Sequence, residues 1–187
     1  MDAFSYLSVL LSIILGLAVT QVLQGFRGLM LARSRVRSYW PSVAWAILLL
    51  VIDVQVWWAM YELRLRPEWS FLGFTVVLAQ TVPLYLLAGL VLPDIGTEGS
   101  IDLRIHYYEN HRWFFTLLAA LMVASFVKQL VLYGNLPAPL DLGFQLLFLA
   151  SSLTGACIAR ERFHKALVPF SAVVIVAYIG TLFGHLR

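Results

Sequence analysis

The sequence predicts an all-α, polytopic membrane bundle of six transmembrane helices, and three observations carry that reading. Hydrophobic residues make up 61% of the 187 positions and charged residues only 12%, about half the roughly 25% charged fraction of soluble domains. Mean hydropathy is +0.85. Six apolar segments follow one another, at 4–26, 40–61, 70–92, 112–133, 139–159 and 166–186. Each is about 20 residues long, enough at 1.5 Å per residue to cross a hydrocarbon core of roughly 30 Å. The connections are too short for a separate soluble domain, so residues 1–187 are expected to form one transmembrane domain with its activity in the membrane or at its surface.

The first segment opens "MDAFSYLSVLL", with an acid and no base ahead of the apolar run. "GLAVTQVLQG" offers no good small-x-small cleavage site, so the segment reads as a retained helix rather than a signal peptide. A single cysteine, Cys157, lies in the fifth segment and excludes an intramolecular disulfide. Basic residues then set an expected orientation. Arg27, Arg33, Arg35, Arg37, Arg104, Arg112, Arg160, Arg162 and Lys165 fall on one side, and only Arg64, Arg66 and Arg187 on the other. By the positive-inside rule both termini face outward, which fits a multi-pass protein of the inner (cytoplasmic) membrane. The net charge of +3 then points to anionic lipid at the cytoplasmic face, with Arg33, Arg35 and Arg37 toward it, and not to nucleic acid.

Asp53, inside "LLLVIDVQVWWAM", interrupts a run otherwise apolar enough to span. Counted from Trp40 it lies about 20 Å from the inner surface, and Lys128, counted from Arg112, about 24 Å. Gln80, Gln145, Tyr178 and Thr181 fall at about 18 to 23 Å on the same arithmetic, with Ser12 near that level. All six segments therefore supply a polar group to one slab in the outer half. A lone charge near the bilayer centre costs at least about 2.5 to 3.5 kcal/mol and usually faces a bundle interior or a wet cavity. Asp53 and Lys128 are expected to pair, with the glutamines satisfying the remaining donors and acceptors. Such a layer serves either to hold the helices in register or to bind something.

Helical phase limits the arrangement. Gln55 is about 200° around the helix from Asp53, so the two cannot face one cavity. With Asp53 toward the bundle, Gln55 is expected to meet another helix or subunit. Ser12, Gly16, Thr20 and Gln24 form a small-or-polar ridge suited to close helix packing, within the chain or in an oligomer. The longest connection contains "IDLRIHYYENHRWFF", where Ser100 or Asp102 can cap an interfacial helix over about 101–110.

Enzyme signatures are missing: there is no G-x-S-x-G, H-E-x-x-H, cysteine pair or phosphate-cradling glycine loop. His106, His111 and His164 are too few for a histidine-rich metal centre and read as rim residues bonded to lipid phosphate or loop carbonyls, so neither metal nor cofactor is expected. "LLSIILGLAVTQVLQG" and "IDLRIHYYENHRWFF" together resemble small uncharacterised bacterial integral membrane proteins with six helices. That resemblance implies the fold and carries no activity over. The expected function is binding or passage of a small polar solute or ion. The alternatives are an accessory or scaffold subunit of a larger membrane complex with a purely structural polar network and, third, an intramembrane enzyme.

Overall fold

The computed structural model describes residues 3–66, 68–94 and 100–182. Six helices dominate it: α1 (Ala3–Leu31), α2 (Trp40–Met60), α3 (Phe71–Val91), α4 (Leu103–Tyr133), α5 (Pro139–Cys157) and α6 (Glu161–Leu182). All six are long and apolar enough to cross a membrane, where only helices and closed barrels satisfy every backbone polar group. This is a multi-pass all-α bundle. A short 3-10 helix, Tyr61–Leu65, extends α2.

Local chemistry sets the helix ends. Pro41 opens α2 and Pro139 opens α5, at positions where a missing N–H costs nothing. The Ser70 hydroxyl accepts from Gly73 N at 3.0 Å to start α3. Asp102 caps α4 by accepting from Arg104 N at 2.8 Å and Ile105 N at 3.2 Å. Gly134, at φ 70°, ends the same helix in the left-handed conformation that glycine adopts without strain.

Three boundaries differ from the sequence reading: α1 runs past the expected end at 26 to Leu31, and α4 and α6 start earlier than expected. The interfacial helix expected over about 101–110 is not a separate element: α4 runs unbroken for 31 residues from Leu103, because no glycine or proline interrupts "LRIHYYENHRWFF". Helix α6 begins at Glu161 rather than 166. A carboxylate suits the first turn of a helix, and Glu161 also pairs with Lys165 one turn on, at 2.7 Å. The expected end of this segment, including Gly184 and His185, lies outside the described residues.

The helices form a ring. Helix α3 lies between α1 and α4, α4 packs on α5, α5 on α6, and α2 closes the ring against α1, α3 and α6. One end is tied by a two-residue parallel ladder, β1 (Val36–Arg37) with β2 (Ile101–Asp102). Ion pairs reinforce that end, Arg37–Asp102 at 3.4 Å and Arg104–Glu161 at 2.6 Å. Just inside it sits an aromatic cluster in which Trp45 meets Phe114 and Phe115 edge-on, with centroids 5.4 and 5.3 Å away. Tyr39 and Tyr108 join it through their hydroxyls at 3.1 Å. Burial, helped by that hydrogen bond, pushes the Tyr39 phenol well above its ordinary range.

Close approach of α4 and α5 depends on Gly155. A Cβ there would come within 2.7 Å of the Phe115 ring, which is itself fully buried and has nowhere to go. Gly155→Val is therefore expected to destabilise the bundle by about 1 to 3 kcal/mol through overpacking. Gly16→Ala, where nothing lies within 4 Å, is the control. Thermal unfolding of the purified variants in detergent checks this, and equal midpoints for the two would contradict the packing.

Candidate functional site

Away from the ladder, the bundle encloses a cavity of about 180 Å³ between α2, α4, α5 and α6, with Gln80 reaching in from α3. Its floor is apolar, with Ile52, Val56, Leu121, Phe148 and Ile175 among the lining residues. The walls are not. Helix α2 and its 3-10 extension contribute Gln55 and Glu62, and α4 contributes Ser125, Lys128, Gln129 and Tyr133. Helix α5 adds Asp141 and Gln145, and α6 adds Tyr178. Glu62 and Tyr133 are exposed and mark the mouth, at the end where α2 and α4 finish.

Sequence spacing explains why these side chains converge. Gln55 and Glu62 are seven residues apart, Lys128 follows Ser125 by three, and Asp141 precedes Gln145 by four, so each set shares one face of its helix. Asp141 also occupies the first turn of α5, where the helix dipole favours an anion.

The polar contacts are uneven. Asp141 Oδ1 accepts from Gln145 Nε2 at 2.7 Å and from the Tyr178 hydroxyl at 3.1 Å. Because the carboxylate only accepts, the Gln145 atom facing it is the nitrogen, and the amide oxygen must point the other way. That Oε1 and the Gln80 Oε1 are both buried with no partner among the protein atoms. Lys128 is half-buried. Asp141 and Glu62 both act on it electrostatically, yet among the described residues no carboxylate oxygen comes within 4.0 Å of its ammonium.

Of the residues expected to bind, Lys128, Gln80, Gln145 and Tyr178 line the cavity and Asp53 and Thr181 do not. Asp53 is only 2% exposed, and neither carboxylate oxygen has a hydrogen-bond partner, so the structure does not pair it with Lys128. The 200° between Asp53 and Gln55 separates them as expected, but Gln55 is the one that faces the cavity. Thr181 is exposed and bonds back to Ala177 O at 2.7 Å, a local contact common for helix threonines. Ser12, Gly16, Thr20 and Gln24 all lie on the exposed side of α1, because Leu7, Leu11, Leu15, Ala18 and Val22 take the buried stripe.

The histidines are held by main-chain carbonyls: His106 Nε2 to Leu90 O at 3.0 Å, His111 Nδ1 to Tyr108 O at 2.6 Å and His164 Nε2 to Ile158 O at 2.6 Å. His164 is fully buried, and its Nδ1 accepts from the Tyr107 hydroxyl at 2.9 Å. Among the described residues no group of three or more His, Cys, Asp or Glu could hold a metal. Glu62 and Asp141 were not singled out from the sequence, because they lie beyond or at the ends of the apolar segments. The four-residue spacing to Gln145 was the signal that could have found Asp141.

Fold and cavity together define a multi-pass membrane bundle with an internal polar chamber. No family model, curated protein or solved structure matches the chain.

A buried acceptor without a donor costs about 1 to 3 kcal/mol. Asp53→Leu, which replaces the donorless carboxylate by a side chain of similar bulk, is expected to stabilise the bundle by about that amount. A lowered unfolding midpoint in the same detergent would mean that the carboxylate supports the fold.

Proposed function

We propose that this is a protein of the inner (cytoplasmic) membrane whose chamber binds or passes a small polar solute or ion from the outer side. The observation that carries the reading is the chamber: about 180 Å³ lined by a lysine, two carboxylates and four glutamines, in a chain whose spans are otherwise apolar. Polar groups of this kind inside a span line substrate or ion paths more often than they face lipid. Lys128, Gln80, Gln145 and Tyr178 supply the lining in this reading, with Asp141, Glu62 and Gln55 beside them.

The arginine count supports an orientation with both termini outward, which places the β1–β2 ladder in the cytoplasm and the chamber mouth outside. Arg33 and Arg37 are exposed at the ladder end and suit anionic headgroups. A second reading, an accessory subunit or homo-oligomer, is favoured by one feature: the ridge of Ser12, Gly16, Thr20 and Gln24 faces away from the bundle, where a neighbouring helix could pack closely.

The orientation has a direct test, because Cys157 is exposed at the ladder end of α5. A membrane-impermeant maleimide should label it in inside-out vesicles and not in spheroplasts, and a cysteine introduced as Glu68→Cys in a Cys157→Ala background should behave oppositely. Labelling of Cys157 in spheroplasts would reverse the topology. For the chamber, purified protein in lipid nanodiscs should bind a small polar solute in calorimetric titration. Asp141→Asn should weaken that binding at least about tenfold, the loss of one charge-assisted hydrogen bond, while the unfolding midpoint holds. Absence of binding by ions, neutral polar solutes and zwitterions alike would sink the reading and leave the subunit role.

A further inference from the structure

The chamber carries two sets of unmet demands, set apart from each other. On one side Gln80 and Gln145 present amide oxygens, 4% and 8% exposed as residues, that no protein donor reaches. Asp141 stands with them. Among the described residues its two donors both fall on Oδ1, so Oδ2 remains an acceptor. Everything on that side asks for N–H donors and positive charge. Lys128 asks for the reverse, since an ammonium brings three donors and no acceptor.

A lysine and an aspartate sharing a partly buried cavity gain by direct contact, which offsets part of the cost of desolvating both. Here they share a cavity and act on each other electrostatically, but stay further apart than an ion pair. Both line the chamber, whose volume of about 180 Å³ leaves room for several waters or one small solute. A solute of that size with one cationic and one anionic end satisfies both sets at once. A plain cation meets the repulsion of Lys128, whose ammonium carries no acceptor for it. A plain anion meets Asp141 and the bare amide oxygens.

We propose that the chamber takes a small zwitterion, with its ammonium on Asp141 and the Gln80 and Gln145 oxygens and its carboxylate on Lys128. The proposal rests on the solute-binding reading above and narrows it to one chemical class.

Calorimetric titration of the purified chain in nanodiscs against glycine, β-alanine and γ-aminobutyrate samples three separations between the charged ends. Methylammonium, acetate and urea supply each half and a neutral control. The expected result is that one zwitterion binds at least about tenfold more tightly than methylammonium or acetate, as one further charge-assisted hydrogen bond implies. Lys128→Gln should bring its affinity down to that of methylammonium, Lys128→Arg should largely restore it, and the unfolding midpoint reports whether each variant folds. Binding of methylammonium, acetate or urea as tight as that of every zwitterion overturns the proposal while the solute-binding reading stands. Failure of the whole panel overturns the proposal, and the wider reading falls only if ions and other polar solutes fail too. Unaltered zwitterion binding by a folded Lys128→Gln variant also overturns it.

Discussion

An ammonium cannot rest in hydrocarbon without compensation, and the half of the bundle away from the ladder is arranged around that constraint. Lys128 sits on the chamber face of α4, within the electrostatic reach of Asp141 and Glu62. Asp141 is fixed by Gln145 and Tyr178, which draws the start of α5 and the far part of α6 together. The cavity is lined where Lys128 faces these carboxylates without forming an ion pair among the described residues. Direct ion pairing would have closed it, and wholly apolar facing residues would have packed it shut.

The two ends of the bundle differ for physical reasons. At the ladder end, backbone pairing, an ion pair across the ladder and another between α4 and α6, a buried histidine with both ring nitrogens bonded and a cluster of edge-on aromatic rings leave little free space. Phe115 packs on Gly155 there, which lets α4 and α5 approach closely. At the other end the lining is long-chain glutamines, tyrosines and charged groups, which bridge gaps without filling them. A rigid end and a roomy end follow from the same chain because small and aromatic residues are concentrated at one and extended polar ones at the other.

Much of this was legible in the sequence, and the misses are instructive. Hydropathy and length found all six helices, since nothing but a helix can carry such runs through lipid. Depth counting found Lys128, Gln80, Gln145 and Tyr178, because rise per residue is nearly constant. Depth carries no azimuth, however. That is why Asp53, at the same level, is expected among residues it does not join, and why Gln55 is expected at another helix or subunit rather than in the chamber. Phase showed that only one of the two could face the chamber, and it could not choose between them without knowing the neighbours of α2. Asp141 and Glu62 escaped because acids at segment ends are ordinary, and only their spacing to Gln145 and Gln55 set them apart. The ridge on α1 drew attention as a packing surface, but the leucine stripe beside it makes the interior contacts.

The proposed function requires that the chamber be wet and that its mouth open on the outer side. Ser125→Cys, placed in a Cys157→Ala background, puts a thiol on the chamber face of α4, and Thr116→Cys puts one on the opposite, exposed side of the same helix, beside an apolar groove. A charged, membrane-impermeant methanethiosulfonate added to spheroplasts should modify the first and spare the second. Failure to modify Ser125→Cys from outside, or equal modification of both, would contradict the account.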